Sequence, residues 1–368
     1  MTALWIIYRY YKKDLSLPKT PITIPWLIFL LFCFISIFVA AYPALSLRAF
    51  FSKNFSAFLF FCAIYELFPK IKNKKISVVI FLVTLTLTII NGFIQYFFLY
   101  DITGQKIQLA FIHTQDVKRV SASFPHPNEY GTFLISTLPL LFSFLWWRVK
   151  NKKELILYGL LIGLTILSLY LTESRGAAIA LIIAFLCVFS VWNKKMAILF
   201  LVSTLFFILF SPLPLAYNTR NAANFNSASS GSLMDRLKLW STTMRMIKER
   251  PLLGWGLNNY SRVHPRFAGD MDSWYPHNCY LQMTSEIGIF GTLAFLGLLI
   301  TMAYALFCTF KSKQRTIRIM SFGFLISLLG IMFHASVDTT LYSLILNSLF
   351  WALAAFGLSL TQIRTDQT

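Results

Sequence analysis

Long, continuous apolar runs dominate the chain. The runs 22–42, 76–99 and 287–310 each exceed the roughly 20 residues that an α-helix needs to cross a bilayer. Their apolar positions are consecutive and do not alternate with polar ones, which excludes a porin-type barrel. The pattern therefore predicts an all-α fold, a polytopic integral membrane protein.

Ten membrane helices are predicted from these runs and the shorter ones between them. Their approximate bounds are 22–41, 54–69, 76–98, 128–147, 155–172, 176–192, 196–213, 284–310, 317–334 and 340–361. The chain shows neither an internal repeat nor a soluble domain. We expect a single integral membrane domain over residues 1–368, with the long loop 211–283 inside it.

Basic residues divide the predicted links into two sets. Lys and Arg collect in the N-terminal segment, in the links near 70–75, 148–153, 194–195 and 311–318, and after the last helix. Because Lys and Arg are retained on the cytoplasmic side of membrane proteins, both termini are predicted to be cytoplasmic. Loops 99–127 and 211–283 are then outside.

Loop 211–283 contains a predicted amphipathic helix. Ser232 is a plausible N-cap with Asp235 three residues later, and Pro251 and Gly254 end the helix. One apolar stripe is expected to pack on the bundle or the membrane face, formed by Leu233, Leu237, Trp240, Met244 and Ile247.

Composition excludes several other classes of protein. Hydrophobic residues make up 57% and charged residues 13%, against about 25% charged residues in soluble domains. The net charge of +19 is explained mainly by the cytoplasmic links and does not indicate a nucleic-acid partner. Neither the five histidines nor the five cysteines have the spacing of a metal site, no disulfide pattern is present, and no cleavable signal peptide is visible.

Positive charge in the outer loop is not explained by this topology. Loop 211–283 has eight basic residues against four acids: Arg220, Arg236, Lys238, Arg245, Lys248, Arg250, Arg262 and Arg266, with Asp235, Glu249, Asp270 and Asp272. Such a loop at a membrane surface suggests an anionic ligand, and Arg is well suited to phosphate. Contact with lipid headgroups, or simple solvation, is the alternative.

Arg175 lies in a minimal outer link, 172–176, between two predicted helices. Ser174 can cap the helix that follows, whose N-terminus carries partial positive charge. An arginine beside a helix N-terminus can form a binding site for a phosphate group together with the free backbone N–H groups of the helix. A snorkelling Arg175 paired with Glu173 is an equally good interpretation.

His277 precedes a membrane helix at the water interface, where an imidazole could accept a proton. Pro276 fixes its approach, and the glycines of segment 286–291 are expected to allow close helix packing. An isolated histidine in this position is more often structural. Glu286, near the mouth of the same helix, is expected to have a supporting role.

Four sequence blocks together resemble the O-antigen ligase and polymerase superfamily. They are 124–128 (FPHPN), 172–176 (TESRG), 236–240 with 251–256 (RLKLW and PLLGWG), and 277–288 with its His-Asn start. The resemblance spans about residues 120–300 and includes the order of the blocks and the long outer loop.

The resemblance implies a metal-independent glycosyl transfer at the periplasmic face of the bacterial inner membrane, without a cofactor. The donor would be a glycan on undecaprenyl diphosphate, and the ligase acceptor would be lipid A–core. Arg175 and Arg236 are expected to hold the diphosphate, and His277 is expected to be the general base. The same blocks supply four further residues that are expected to bind the substrate: His126, Asn128, Asn278 and Glu286.

One geometric expectation follows from these roles: His277, Arg175 and Arg236 should face one cavity. Arg236 lies about 60° from the centre of the apolar stripe at 100° per residue, so it can turn inward.

Other functions remain open at this stage. An O-antigen polymerase would use a second lipid-linked glycan as acceptor, and a lipid-linked glycan transporter would need a polar path through the membrane, for which few mid-membrane charges are present. Protein-glycosylating relatives often have a larger C-terminal region, whereas this chain ends soon after its last helix. Family ligases commonly have about twelve membrane helices, so a missing or shortened N-terminal hairpin is expected here.

Overall fold

The computed structural model describes residues 2–14, 16–100, 119–210, 233–269 and 275–365, and the regular elements within these ranges are helical. The helices are α1 (Thr2–Tyr11), α2 (Thr23–Phe38), α3 (Pro43–Ala49), α4 (Ser56–Leu67), α5 (Lys75–Phe98), α6 (Pro127–Arg148), α7 (Lys152–Thr172), α8 (Arg175–Trp192), α9 (Lys194–Phe210), α10 (Leu233–Glu249), α11 (Tyr260–Val263), α12 (Pro265–Ala268), α13 (Cys279–Phe310), α14 (Arg315–His334) and α15 (Leu344–Thr365).

Seven helices in the described part are long and apolar enough to cross a membrane. They are Pro43–Leu67, Lys75–Phe98, Pro127–Trp147, Lys152–Thr172, Arg175–Trp192, Cys279–Phe310 and Arg315–His334. Two shorter apolar helices, Thr23–Phe38 and Leu344–Leu360, and α9 account for the other three predicted spans. The prediction of an all-α, multi-pass membrane protein is confirmed. We call the end of the bundle that bears α10 the loop side.

The second span begins earlier than predicted. It starts at Pro43, which is favoured in the first turn of a helix, and reaches Leu67 through a π-helical turn at Phe50–Phe55. In the structure this turn lies against the loop side, where the Lys53 Nζ atom donates to the Asn258 Oδ1 atom at 2.9 Å.

Helix α14 packs against α6, α8, α13 and α15. Gly323 brings it close to α6, because a Cβ at this position would lie 2.4 Å from the Ser143 Oγ atom. Small residues at helix interfaces allow this approach in membrane bundles. The C-terminal end of α14 is thereby fixed at the centre of the loop side.

Helix α13 is broken at Gly288, whose φ is +71°. A Cβ there would lie 2.0 Å from the Leu252 carbonyl oxygen, so the chain after α10 passes directly over the break. The Trp255 and Gly256 amides donate to the Ser285 and Glu286 carbonyls at 2.9 and 2.8 Å, and the Ile289 amide donates to Pro251 at 2.9 Å. The expectation that these glycines serve helix packing was wrong for Gly288, because its close neighbour is the backbone of the loop.

The amphipathic helix is present as α10, and it ends at Glu249 as predicted, but a different face is buried. Leu237 and Met244 of the predicted stripe are 46% and 42% exposed. The buried residues are Leu239, Thr242, Thr243 and Met246. Both threonine hydroxyls donate to carbonyls one turn back, so they can be buried without losing hydrogen bonds.

Several sequence-based expectations lie outside the described residues. They concern the proposed N-cap Ser232, the loop residues Arg220, Asp270 and Asp272, and the histidine at position 113.

Candidate functional site

A buried carboxylate, Asp338, lies in the link after α14. Its Oδ1 atom accepts hydrogen bonds from the Thr339 amide at 2.7 Å and from the His277 Nδ1 atom at 3.3 Å. Its Oδ2 atom accepts a short hydrogen bond from the Asn128 amide group. Burial opposes ionisation, but the hydrogen bond from His277, the nearby imidazoles and the Thr339 amide together hold the pKa of Asp338 well below its usual range. Asp338 is therefore an anion at neutral pH.

The local backbone positions the His277 ring. His277 has φ of +49°, in the left-handed region, between two fixed neighbours. The Pro276 carbonyl accepts a hydrogen bond from the Trp240 Nε1 atom at 2.8 Å, and the Asn278 side chain caps α13 by accepting from the amides of residues 280 and 281 at 3.0 Å. The backbone is therefore fixed at Pro276 and at Asn278, and the His277 ring lies between these two fixed points.

The pair of His277 and Asp338 has the geometry of a base and its orienting acid. An ionised carboxylate only accepts hydrogen bonds, so we assign the proton to Nδ1, and Nε2 is then the basic nitrogen. The His277 side chain is 35% exposed, whereas the Asp338 side chain is 11% exposed. The basic nitrogen can therefore meet a substrate while the carboxylate remains shielded.

Three contacts tie the start of α13 to the end of α14. The Cys279 amide donates to the Ala335 carbonyl at 2.8 Å, the Cys279 thiol donates to the Asp338 carbonyl at 3.3 Å, and the Tyr280 hydroxyl donates to the Met332 carbonyl at 2.8 Å. His277 and Asp338 are thus positioned as one unit.

Arg119 lies near this pair and is linked to Asp338 through Asn128. The Arg119 Nε atom donates to the Thr172 carbonyl at 3.0 Å, and its Nη2 atom donates to the Asn128 Oδ1 atom at 2.9 Å. Burial lowers the pKa of Arg119, while the charges of Glu173 and Asp338 raise it and that of Arg236 lowers it, so these groups share one electrostatic environment. Within the described residues, the buried Nε atom of Arg236 has no hydrogen-bond partner.

Arg175 joins the group through Glu173. Burial raises the pKa of Glu173, whereas the charges of Arg119 and Arg175 both lower it. Arg175 itself is exposed at the first position of α8. Both sequence-based interpretations of Arg175 remain compatible with this placement, since the neighbouring acid and the helix N-terminus are both there.

Gly176 permits a close approach on the other side of Arg175. A Cβ at this position would lie 3.3 Å from the Nε2 atom of His334, which is buried and whose Nδ1 atom shares a 2.8 Å hydrogen bond with the Thr132 hydroxyl. The link 172–176 and the end of α14 therefore meet near Asp338.

The other predicted site residues take different positions. His126 is the extended N-cap residue of α6, two residues before the Asn128 that reaches Asp338. Asn278 is a helix cap. Among the described residues, no group of three His, Cys, Asp or Glu side chains could hold a metal ion. The prediction that Arg175, Arg236 and His277 line one cavity stays a prediction.

Glu286 is saturated by protein donors. Its carboxylate accepts from the Asn258 and Tyr260 amides at 2.8 and 3.2 Å, from the Gln282 side chain at 3.2 Å and from the Tyr342 hydroxyl at 3.1 Å. It is 1% exposed. The carboxylate of Glu286 therefore anchors the turn at 257–260. This favours a supporting role for Glu286 over contact with a substrate.

Sequence reasoning missed Asp338 and Arg119. Asp338 is the one acid in the short link 335–343, four residues after His334, and Arg119 lies shortly before the block 124–128. An acid at the mouth of a membrane helix is costly and is often functional, so its position was a usable signal.

Residues 160–296 match the family model described as O-antigen ligase. Over 208 residues, or 53% of the chain, the sequence is 24% identical to the ComP-specific O-oligosaccharyltransferase of Acinetobacter baylyi, of which this match covers 37%. Over 163 residues, or 40% of the chain, it is 29% identical to a Rickettsia conorii protein named "Putative polysaccharide ligase", of which 38% is covered. The chain thus spans less than two fifths of each of these relatives. The resemblance seen in the four sequence blocks is confirmed.

Proposed function

We propose that this chain, whose residues 160–296 match the O-antigen ligase family model, transfers a glycan from undecaprenyl diphosphate to lipid A–core. The reaction takes place at the loop side, on the periplasmic face of the bacterial inner membrane. The observation that carries this proposal is the pairing of a partly exposed His277 with a buried, ionised Asp338.

His277 removes a proton from the acceptor. The Nε2 atom takes the proton of a sugar hydroxyl as its oxygen attacks the anomeric carbon of the donor glycan. The bond from that carbon to the diphosphate breaks, and the lipid diphosphate leaves with the electron pair. Asp338 holds the ring in the required tautomer and stabilises the imidazolium that forms. Asp338 is thus a positioning residue, since it acts through His277.

The arginines stabilise the leaving group. Charge develops on the diphosphate as the glycosidic bond breaks, and guanidinium groups bind phosphate oxygens through paired hydrogen bonds. Arg175 and Arg236 are the proposed clamp, and Arg119 adds a third positive charge beside Asn128. The buried Nε atom of Arg236, without a partner in the described residues, supports this role.

A protein acceptor is the second candidate. The Acinetobacter baylyi relative is named as a ComP-specific O-oligosaccharyltransferase, whereas the Rickettsia conorii relative is named as a polysaccharide ligase. Donor chemistry at the arginines and His277 would be the same in both reactions, and only the hydroxyl presented to His277 would differ.

Reconstitution tests the proposal directly. Purified protein is given a lipid-linked glycan in chelator, together with lipid A–core or, in a parallel reaction, an acceptor protein, and product is measured by mass shift. We expect glycosylated lipid A–core; transfer that occurs only to a second lipid-linked glycan would identify a polymerase, and transfer only to protein would support the second candidate. Activity that disappears only with chelator would point to a metal.

A paired substitution tests the diphosphate clamp. Arg175→Lys keeps the charge but loses the planar, bidentate contact, so we expect a clear loss of transfer. Lys238→Ala on the exposed face of α10 is the control and should have little effect. Normal transfer by Arg175→Lys at equal protein level would remove Arg175 from the clamp.

A further inference from the structure

A pocket on the loop side is separate from the His277–Asp338 pair. Its volume, including the space open to solvent at its mouth, is about 590 Å³. Lining residues come from α2, the π-helical turn, the 257–258 turn, α13, the link before α15 and α15 itself. Neither His277 nor Asp338 lines it.

The pocket has two chemically different ends. Links and outer helical turns supply polar groups, namely Lys53, Asn54, Asn258, Tyr342 and Asn347. Interior turns of α2, α13 and α15 supply aromatic walls, in which Trp26 lies 3.8 Å from Trp351 and Phe29 lies 5.0 Å from Phe295, between ring centroids. A cavity of this kind suits a ligand with one polar end and one apolar chain.

Lys53 supplies the charge at the polar end. Its Nζ atom donates to the Asn258 Oδ1 atom at 2.9 Å and lies 5.8 Å from the centroid of the Tyr342 ring. Glu286 attracts it, but no ion pair of Lys53 is found within the described part of the chain. A lysine within a membrane-spanning segment, whose hydrogen-bond partner is a neutral amide, complements an anion.

The π-helical turn explains how Lys53 is presented. A π turn displaces the regular pattern of backbone hydrogen bonds and is frequent at functional sites. The Lys53 carbonyl also accepts from the Asn347 side chain at 3.4 Å, so α15 and the π turn are joined at the pocket. The backbone of Lys53 is thereby fixed, and its ammonium group stays beside the pocket.

We propose that this pocket binds the phosphate headgroup of a membrane lipid, with the phosphate at Lys53 and one hydrocarbon chain against Trp26 and Trp351. This site is independent of glycan transfer, because none of the residues assigned to His277 chemistry or the diphosphate clamp contributes to it.

Photolabelling of the purified full-length protein in an uncharged detergent tests the proposal. The probe is dodecyl phosphate with a diazirine on its chain, and labelled peptides are identified by mass spectrometry. We expect label in the segments 49–54 and 347–351. Label confined to other segments, including those around Arg119, Arg175 and Arg236, would overturn the proposal without bearing on catalysis.

Substitutions at Lys53 give the second measurement. Lys53→Gln should raise the half-saturating probe concentration at least about tenfold, whereas Lys53→Arg and the surface control Lys248→Gln should stay within about threefold of the unchanged protein. Equal saturation of all variants would contradict a role for the ammonium group. If Lys53→Gln does not fold, the proposal is tested by the positions of the labelled segments and by the saturation curve of Lys53→Arg.

Competitors separate the possible ligands. Unlabelled dodecyl phosphate should compete fully, while dodecanol and inorganic phosphate should each need at least about tenfold higher concentration. Inorganic phosphate that competed as well as dodecyl phosphate would show a free-phosphate site and refute the lipid assignment. Arg175→Lys should leave these competition curves unchanged, because Arg175 does not line the pocket. The pocket and the diphosphate clamp are therefore tested by separate measurements.

Discussion

Two buried carboxylates on the loop side, Glu286 and Asp338, are held in different ways. Glu286 accepts hydrogen bonds from two backbone amides, an amide side chain and a tyrosine hydroxyl, and it is 1% exposed. Asp338 accepts from one backbone amide, one asparagine and an imidazole that reaches solvent. The first set of donors fixes a loop, whereas the second includes a group that can change its protonation.

This difference separates supporting from functional acids. A carboxylate such as Glu286, whose donors are backbone amides and buried neutral side chains, has no partner that changes protonation near neutral pH. Removing it leaves buried N–H groups without partners. A carboxylate that orients a histidine affects chemistry through that histidine. We therefore expect loss of Glu286 to lower stability and loss of Asp338 to lower turnover.

The largest expected effect is on turnover at His277. Because a general base commonly contributes 10²- to 10⁴-fold, His277→Ala should reduce the transfer rate by about that factor. Its melting temperature should stay near that of the unchanged protein, as the ring is partly exposed. Rates are measured with reconstituted protein and lipid-linked donor.

His264→Ala is the control for this substitution. His264 is 1% exposed and stacks on Tyr260 at 5.0 Å, so its removal should lower the melting temperature but not the rate per folded molecule. A near-normal rate for His277→Ala would show that His277 is not the general base. Catalysis would then depend on substrate positioning and on the electrostatic stabilisation of the diphosphate.

Glu286→Ala should give the largest loss of stability. It leaves the buried amides of Asn258 and Tyr260 without an acceptor, at about 1–3 kcal/mol each. Unfolding in detergent, followed by tryptophan fluorescence, measures the change. Glu249→Ala at the exposed end of α10 is the matched control, and an equal effect of both substitutions would contradict the anchoring role.

Asp338→Asn should have a smaller effect on turnover than loss of His277. The imidazole remains but loses its ionised partner, and in a serine-protease triad the loss of the orienting acid costs about 10²-fold less than the loss of the histidine. The pH profile of the rate should change along with its height, because the catalytic pair loses its negative charge. An unchanged profile with a reduced rate would indicate a purely structural role for Asp338.

The smallest expected effect is on stability at acidic pH. Since the folded state lowers the pKa of Asp338, this group stabilises the protein above the usual Asp pKa of about 3.9, and that contribution is lost as pH falls towards the lower, folded value. The stability difference between the unchanged protein and Asp338→Asn should shrink as the pH falls below about 4. Using the difference cancels His264, whose pKa is lowered by burial and by Arg245. A difference that shrank between pH 8 and 6 would contradict this assignment.

The local pattern of apolar residues predicted the helices well, because each membrane span requires a continuous apolar run of about 20 residues. The sequence also indicated His277 and Arg175 through their positions beside helix starts. The buried face of α10 was missed, because Thr242 and Thr243 satisfy their hydroxyls within the helix and can replace apolar residues. The pairing of His277 with Asp338 joins residues 61 positions apart and depends on how α13 meets α14, which no local pattern contains.

The break at Gly288 has a mechanical consequence for the membrane segment that follows. Spanning helices tilt when the thickness of the bilayer changes. In α13 the outer segment, 279–287, is tied to the end of α14 and to the loop, and Gly288 separates it from the segment that crosses the membrane. Tilting of the crossing segment can therefore be absorbed at Gly288. The spacing of His277 and Asp338 should then vary little between lipids of different acyl-chain length.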